Sequence, residues 1–131
     1  MEPTADAAAP TGARLPAPVE AAIDLAHLAR MTLGERDLEA EVLTLFDRQA
    51  AILLAHMRDG APAAVAAFAH TLKGSARGIG AWRIAAAADA VERNAIDRNA
   101  SGVAGAVARL SAAVDEAKAV IAHRLQPGIE L

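Results

Sequence analysis

Apolar residues recur in steps of three, four and seven through most of this chain, which is the spacing of one face of an α-helix. Clusters containing glycine, asparagine or proline interrupt the pattern around residues 34, 59–62, 78–80 and 99–102. These breaks predict five helices, which cover approximately residues 24–31, 36–58, 62–77, 81–96 and 101–125.

The same periodicity predicts the inward face of each helix. Asp24 is the expected N-cap of the first helix, and Pro62 fits the first turn of the third, where a missing amide costs nothing. The residues predicted to point inward are Leu25 and Leu28, then Leu38, Val42, Leu45, Phe46, Ile52, Leu53 and Met57, then Ile84, Ala88, Val91 and Ala95, and finally Val103, Val107, Leu110, Val114, Ile121 and Leu125. Short connections between such helices favour antiparallel neighbours. The predicted fold is all-α, an antiparallel up-down-up-down four-helix bundle with a short additional N-terminal helix.

Composition agrees with this fold. A chain of 131 residues has the size of one ordinary domain, and its 54% hydrophobic residues include only 2% aromatics, so alanine supplies much of the apolar share. Residues 1–19 contain four prolines and show no apolar periodicity, so burial there cannot offset the entropy of ordering. We therefore expect residues 1–19 to be a disordered Ala/Pro-rich tail and residues 20–131 to form the bundle.

Charge and motifs exclude several classes of function. A net charge of −3 provides no broad basic surface for nucleic acid, and the absence of cysteine excludes thiolate metal sites and cysteine nucleophiles. No stretch reads as a secretory signal or a membrane span, so we expect a soluble, cytoplasmic protein. Neither a phosphate-binding loop nor a nucleophile elbow is present, so no ATP-dependent kinase activity is expected.

His70 is the candidate reactive residue. On a helical wheel it lies opposite the apolar arc of the third helix, while Lys73, Gly74 and Arg77 fall within about 60° of it. A glycine inside a helix costs about 0.5–1 kcal/mol relative to alanine, so Gly74 suggests that room is needed beside the imidazole. A neutral imidazole is a nucleophile that needs no general base, and nearby cations would offset the charge of a phosphoryl group on it. The alternative is that His70 and Lys73 simply belong to a solvated helix face.

Other polar residues are weaker candidates. His27, His56 and His123 lie on three different helices, and none has a carboxylate or a second histidine four residues away, so we predict no metal site. Gln49 and His56 fall in the apolar stripe of the second helix, where they either pack at the core boundary, which we favour, or border the His70 surface. Trp82 is either exposed or folded over a helix junction.

Residues 70–76 read His-Thr-Leu-Lys-Gly-Ser-Ala, and Ile-Gly-Ala follows at 79–81. These segments resemble the motif of the histidine phosphotransfer (HPt) domain family, in which an apolar-Gly-Ala step follows the histidine segment. Further matches on the next helix are Ile84, Ala88, Val91 and Glu92. The resemblance is close over residues 24–92, and it covers the last helix only through its periodicity. Arg77 has no fixed counterpart in the motif, and we interpret Glu92 as a solvated helix residue.

The resemblance implies a monomeric bundle in which His70 accepts a phosphoryl group from a receiver aspartate and passes it to another receiver. Lys73 would then be the charge partner and Gly74 the clearance for the docking receiver. Arg77 is a candidate for electrostatic support on the helical wheel alone. The expected partners are response regulator receiver domains and a hybrid sensor histidine kinase. The chain itself would need no cofactor, because Mg²⁺ belongs to the receiver. One alternative is a phosphoacceptor domain that a chemotaxis-type kinase phosphorylates directly, although we expect such a domain to be fused to its kinase. The other alternative is a non-catalytic helical adaptor that binds receivers.

Overall fold

The computed structural model describes residues 21–126 and contains five helices. They are α1 (Leu25–Met31), α2 (Arg36–Asp59), α3 (Pro62–Ile79), α4 (Trp82–Ile96) and α5 (Ala100–Leu125). No strand occurs in this part of the chain, and each predicted helix is found within two residues of its expected bounds. The all-α prediction is therefore confirmed. The predicted tail at residues 1–19 lies outside the described residues.

Helices α2 to α5 form a closed bundle in which each helix packs against two others. The pairs in contact are α2 with α3, α3 with α4, α4 with α5, and α5 with α2. Contacts between side chains show that neighbours run antiparallel: Arg124 near the end of α5 pairs with Glu39 near the start of α2, whereas Arg58 at the end of α2 binds Ser111 in the middle of α5. The short helix α1 packs separately on α3. The predicted bundle with its extra N-terminal helix is confirmed.

Alanine takes many inward positions, which explains where the sequence pattern was misleading. The buried residues of α2 include Leu43, Phe46 and Ala50. Leu45 and Ile52, which were predicted to point inward, instead have 57% and 53% of their surface exposed, and Leu25 on α1 is exposed as well. The small residue Ala50 is on the buried face of α2, whereas the larger Leu45 and Ile52 lie at the edge of that face, where they are exposed.

Helix α1 is fixed to the turn between α3 and α4. Gly80 in this turn has a φ of 83°, and a Cβ there would lie 3.0 Å from the carbonyl oxygen of Asp24. Asp24 caps α1 by accepting from the amide of His27 at 3.1 Å, as predicted, and its other carboxylate oxygen accepts from the Trp82 indole at 3.1 Å. The His27 ring meets Trp82 edge to face and contacts the carbonyl oxygen of Gly78 at 3.1 Å. Trp82 therefore folds over the helix junction while one side of it stays exposed.

The start of α2 and the end of α5 are joined by an ion pair. Arg124 donates from Nε to Oε2 and from Nη2 to Oε1 of the buried Glu39 carboxylate, each at 2.9 Å. A bidentate pair of this kind fixes the relative position of two helices as well as their charge. Among residues 21–126, no helix combines the length and the hydropathy that crossing a membrane requires.

Candidate functional site

His70 lies in the middle of α3 with 68% of its side chain exposed. It is held there because Ala69, Leu72 and Ala76 are completely buried on the opposite side of the helix. The structure thus places His70 on the solvent face, where the helical wheel placed it.

The imidazole of His70 is bound by a carboxylate from the neighbouring helix. Nδ1 lies 3.0 Å from Oε2 of Glu92 on α4. The pKa of Glu92 is lowered, chiefly by its hydrogen bond from Lys73 and further by the one with His70, so this carboxylate is ionised and can only accept. Nδ1 must therefore carry the proton in this hydrogen bond. In the neutral ring, Nε2 then holds the free lone pair.

The ammonium group of Lys73 is also bound to α4. It donates to Oε1 of Glu92 at 2.7 Å and to Oδ1 of Asp89 at 3.1 Å, and Asp89 in turn binds Nε of Arg93 at 2.9 Å. These contacts raise the pKa of Lys73, with the hydrogen bond to Glu92 as the main cause, and the hydrogen bond from Lys73 is the main cause that lowers the pKa of Asp89. Only 14% of the Lys73 side chain is exposed. Lys73 is thus joined to His70 through Glu92 and is not a free cation beside the imidazole.

The interpretation of Glu92 as a solvated helix residue is wrong. Only 17% of its side chain is exposed, and it bridges His70 and Lys73. The sequence did carry a signal, because Asp89 and Glu92 are three residues apart and so share one face of α4. Placed opposite a helix that bears His70 and Lys73, such a pair of carboxylates indicates an ion cluster between helices.

Gly74 and Arg77 continue the exposed face of α3 beyond His70. A Cβ added to Gly74 would meet no atom within 4 Å, so packing within residues 21–126 does not require a glycine there. Arg77 is exposed and forms no hydrogen bond or ion pair with residues 21–126, although its charge helps to lower the pKa of Asp89. Of the predicted site residues, His70 and Lys73 are thus brought together through Glu92, while Gly74 and Arg77 face solvent.

The edge of α2 that faces α3 is apolar and partly open. A groove of about 360 Å³ separates the two helices and is lined by Val42, Leu45, Phe46, Gln49, Ser75 and Ile79. Further along, the ring of His56 stacks on Phe68 with centroids 5.1 Å apart. Gln49 and His56 therefore both lie at the boundary between α2 and α3. We call the surface formed by Leu45, Gln49, Ile52, Thr71 and Gly74 the α2–α3 face.

No group of three or more potential metal ligands is present among residues 21–126. What the described residues present is a small helical bundle with an exposed histidine in the middle of α3, whose ring is hydrogen-bonded to a carboxylate from α4.

Comparison with protein families agrees with this architecture. The family model for the Hpt domain matches residues 37–120, which is well over half of the chain. The chain belongs to the Hpt domain family, whose members carry out histidine phosphotransfer in phosphorelays together with receiver domains and histidine kinases. Comparisons with curated proteins and with solved structures gave no match.

Proposed function

We propose that this protein is a phosphorelay intermediate in which His70 accepts a phosphoryl group from a receiver aspartate and passes it to a second receiver. The observation that supports this most directly is the state of the imidazole. His70 is 68% exposed, its Nδ1 is hydrogen-bonded to Glu92 at 3.0 Å, and its Nε2 forms no hydrogen bond with residues 21–126. The ring is therefore oriented for attack before a partner arrives.

In the proposed transfer, Nε2 attacks the phosphorus atom of the receiver's aspartyl phosphate in line with the bond to the aspartate oxygen. The N–P bond forms as that P–O bond breaks, and the aspartate leaves as a carboxylate. The ring gains positive charge while the proton stays on Nδ1, where the Glu92 carboxylate stabilises it. The reverse sequence returns the phosphoryl group to another receiver, and Mg²⁺ remains with the receiver throughout.

The surrounding charges suit a site that gains and loses a phosphoryl group. Lys73 and Arg93 together balance Asp89 and Glu92, so the resting cluster is neutral. A phosphoryl group would bring nearly two negative charges. Arg77 lies two turns beyond His70, about 10 Å along the axis, and long side chains on a helix lean toward its N-terminus, which is the direction of His70. Arg77 is thus the cation best placed to meet the incoming charge.

The α2–α3 face is the proposed docking surface for the receiver. It provides exposed aliphatic side chains from Leu45 and Ile52 beside the open space above Gly74. An apolar patch next to a reactive group is typical of a protein interaction site. A side chain at position 74 would project into the space that the receiver must enter to reach His70.

Transfer from labelled receivers tests the proposal. A purified receiver carrying labelled aspartyl phosphate should pass the label to the wild-type chain but not to His70→Gln. His56→Gln is the matched control, because it removes another exposed imidazole that lies outside the Glu92 and Lys73 cluster, and it should accept label normally. The adduct should be labile to acid and stable to base, as a phosphoramidate is. Receiver binding without any label on the wild-type chain would show a helical adaptor instead, and label on His70→Gln would show another acceptor.

A further inference from the structure

Helix α1 covers one end of the bundle, whereas the opposite end is open within residues 21–126. At one end, α1 packs on α3 and the contact between Asp24 and Trp82 holds it over the turn. At the other end, a cavity of about 510 Å³ opens among the last residues of α2 and α4 and the first residues of α3 and α5. No helix within residues 21–126 covers this opening. Its volume lies within the roughly 300–1,000 Å³ that is typical of small-molecule sites.

The walls of this bundle-end cavity are mainly apolar. Met57 and Val65 contribute from α2 and α3, and Val103 and Val107 contribute from α5. The space exists because other wall positions hold small residues, such as Ala95 at the end of α4. A hydrocarbon or aromatic body would therefore be removed from water on several sides at once.

The charged residues that line the cavity are both arginines. Arg58 donates from Nη2 to the hydroxyl of Ser111 at 3.0 Å, and no carboxylate among residues 21–126 pairs with its charge. Arg98 forms no hydrogen bond or ion pair through its side chain with residues 21–126. Asp59 and Asp97 adjoin these arginines in sequence, but neither lines the cavity. The lining is therefore complementary to an anion attached to an apolar body.

The turn after α4 brings Arg98 to the lining of the cavity. Arg98 has a φ of 56°, and the amide of Asn99 donates to the carbonyl oxygen of Asn94 at 2.9 Å across it. Glycine is usual at this helix-ending position, because a Cβ is unfavourable in the left-handed region. Gly80 takes the corresponding position after α3, whereas Leu33 takes it after α1. Glycine at position 98 is therefore compatible with this turn, so the guanidinium can be removed without disturbing the backbone.

We propose that the bundle-end cavity binds an amphipathic carboxylate, with the apolar body among Met57, Val65 and Val103 and the carboxylate on Arg98 and Arg58. This site is separate from His70, and the proposal does not depend on phosphotransfer. Guanidinium groups suit a carboxylate because they offer paired N–H donors in a planar fork.

Titration of the full-length chain with simple probes tests the chemistry of the site. Decanoate should bind one to one and shift the methyl resonances of Met57, Val65 and Val103 in NMR spectra. Octanoate should bind about fifteenfold more weakly, because each buried methylene contributes about a factor of four. Decanol, which lacks the charge, should bind on the order of tenfold more weakly than decanoate. Acetate should not bind.

Two variants separate binding from folding. Arg98→Gly relieves the left-handed strain, so it should fold at least as stably as the wild type. Its preference for decanoate over decanol should fall severalfold, because only Arg58 remains to bind the carboxylate. Ala104→Phe should fill the cavity and abolish binding of both probes. The matched controls are Arg48→Gln on α2 and Ala108→Phe on α5, which change exposed residues outside the cavity and should leave binding unchanged.

The outcomes that would overturn the proposal are distinct. Decanoate that fails to bind, or that binds Ala104→Phe as tightly as the wild type, would show that the cavity is not a ligand site. Equal affinity for decanoate and decanol would show that the arginines do not recognise a carboxylate. If sedimentation shows a wild-type dimer that Ala104→Phe converts to a monomer, the cavity is occupied by a second copy of the chain.

Discussion

Replacing Glu92 by glutamine tests whether the carboxylate on α4 prepares His70 for attack. The substitution keeps the shape of the side chain but removes its charge. It leaves one carbonyl oxygen to serve both Nδ1 of His70, now 3.0 Å from Oε2, and the ammonium of Lys73, now 2.7 Å from Oε1. An amide nitrogen cannot accept the hydrogen bond that a carboxylate oxygen accepts. The Nδ1–H form of the ring therefore loses its specific support.

The expected size of the effect follows from the hydrogen bond that is lost. Hydrogen bonds to charged groups contribute about 1.5–3 kcal/mol when well shielded, and His70 is 68% exposed, so about 1 kcal/mol is a reasonable value for this one. That energy corresponds to about a fivefold change in the ratio of the two neutral tautomers. In the proposed transfer only the tautomer with a free Nε2 reacts on the solvent side. A fivefold change in the tautomer ratio changes the population of that tautomer by at most fivefold, so we expect phosphotransfer to slow by about twofold to fivefold.

Two readouts distinguish positioning from a general loss of structure. Nitrogen NMR of the His70 ring reports the tautomer ratio directly, and a single-turnover reaction with a phosphorylated receiver reports the rate. Glu41→Gln, an exposed change elsewhere on the surface, is the control and should alter neither. If Glu92→Gln keeps both the wild-type tautomer ratio and the wild-type rate, the carboxylate does not orient the ring and the reasoning fails.

Three further predictions follow from the same structure. Gly74→Ala should stabilise the fold by about 0.5–1 kcal/mol in a denaturant melt, because open space surrounds the added methyl group. Gly74→Gln should block phosphotransfer from a receiver. Transfer by Gly74→Gln at the wild-type rate would contradict the docking argument. The folded state lowers the pKa of Asp89 and of Glu92, so these carboxylates contribute their full stabilisation above the ordinary pKa values of 3.8 and 4.5 and lose it as the pH falls through the folded pKa values. Acid should therefore destabilise the wild type more than Glu92→Gln. Equal losses of stability in the two proteins as the pH is lowered would contradict this. Gly102→Ala should destabilise by about 1 kcal/mol, because its Cβ would displace the Asn94 and Asn99 side chains and break the hydrogen bond between them; an unchanged melt would show that they move without cost.

The helices were predictable because their signals are local. Caps and breakers act over a few residues, so Asp24, Pro62 and Gly80 mark helix ends whatever the rest of the chain does. The inward face of α2 was less predictable. Leu45 and Ile52 have the right chemistry for a core, but burial depends on which arc of a helix its neighbours touch, and there Ala50 meets the core instead.

The site shows the same division between local and long-range information. The exposure of His70 follows from the apolar residues of its own helix, so a wheel is sufficient to predict it. The role of Glu92 depends on how α4 is rotated and shifted against α3, which no pattern within one helix specifies. The wheel placed Lys73 on the correct side of α3, but it could not show that two carboxylates from α4 already bind the ammonium.

If His70 is the phosphoacceptor that we propose, this arrangement of charges affects how strongly the phosphoryl group is held. If Lys73 pointed freely at the phosphoryl group, it would stabilise phosphohistidine and slow its departure to the next receiver. Because Lys73 is shared between Asp89 and Glu92, its attraction for the phosphoryl group is already partly offset, and the nearby Glu92 disfavours a further negative charge. The adduct on His70 is then neither strongly stabilised nor inaccessible. A carrier that must both accept and release the same group requires such a balance, since a site that binds the phosphorylated state too tightly would act as an end point and not as an intermediate.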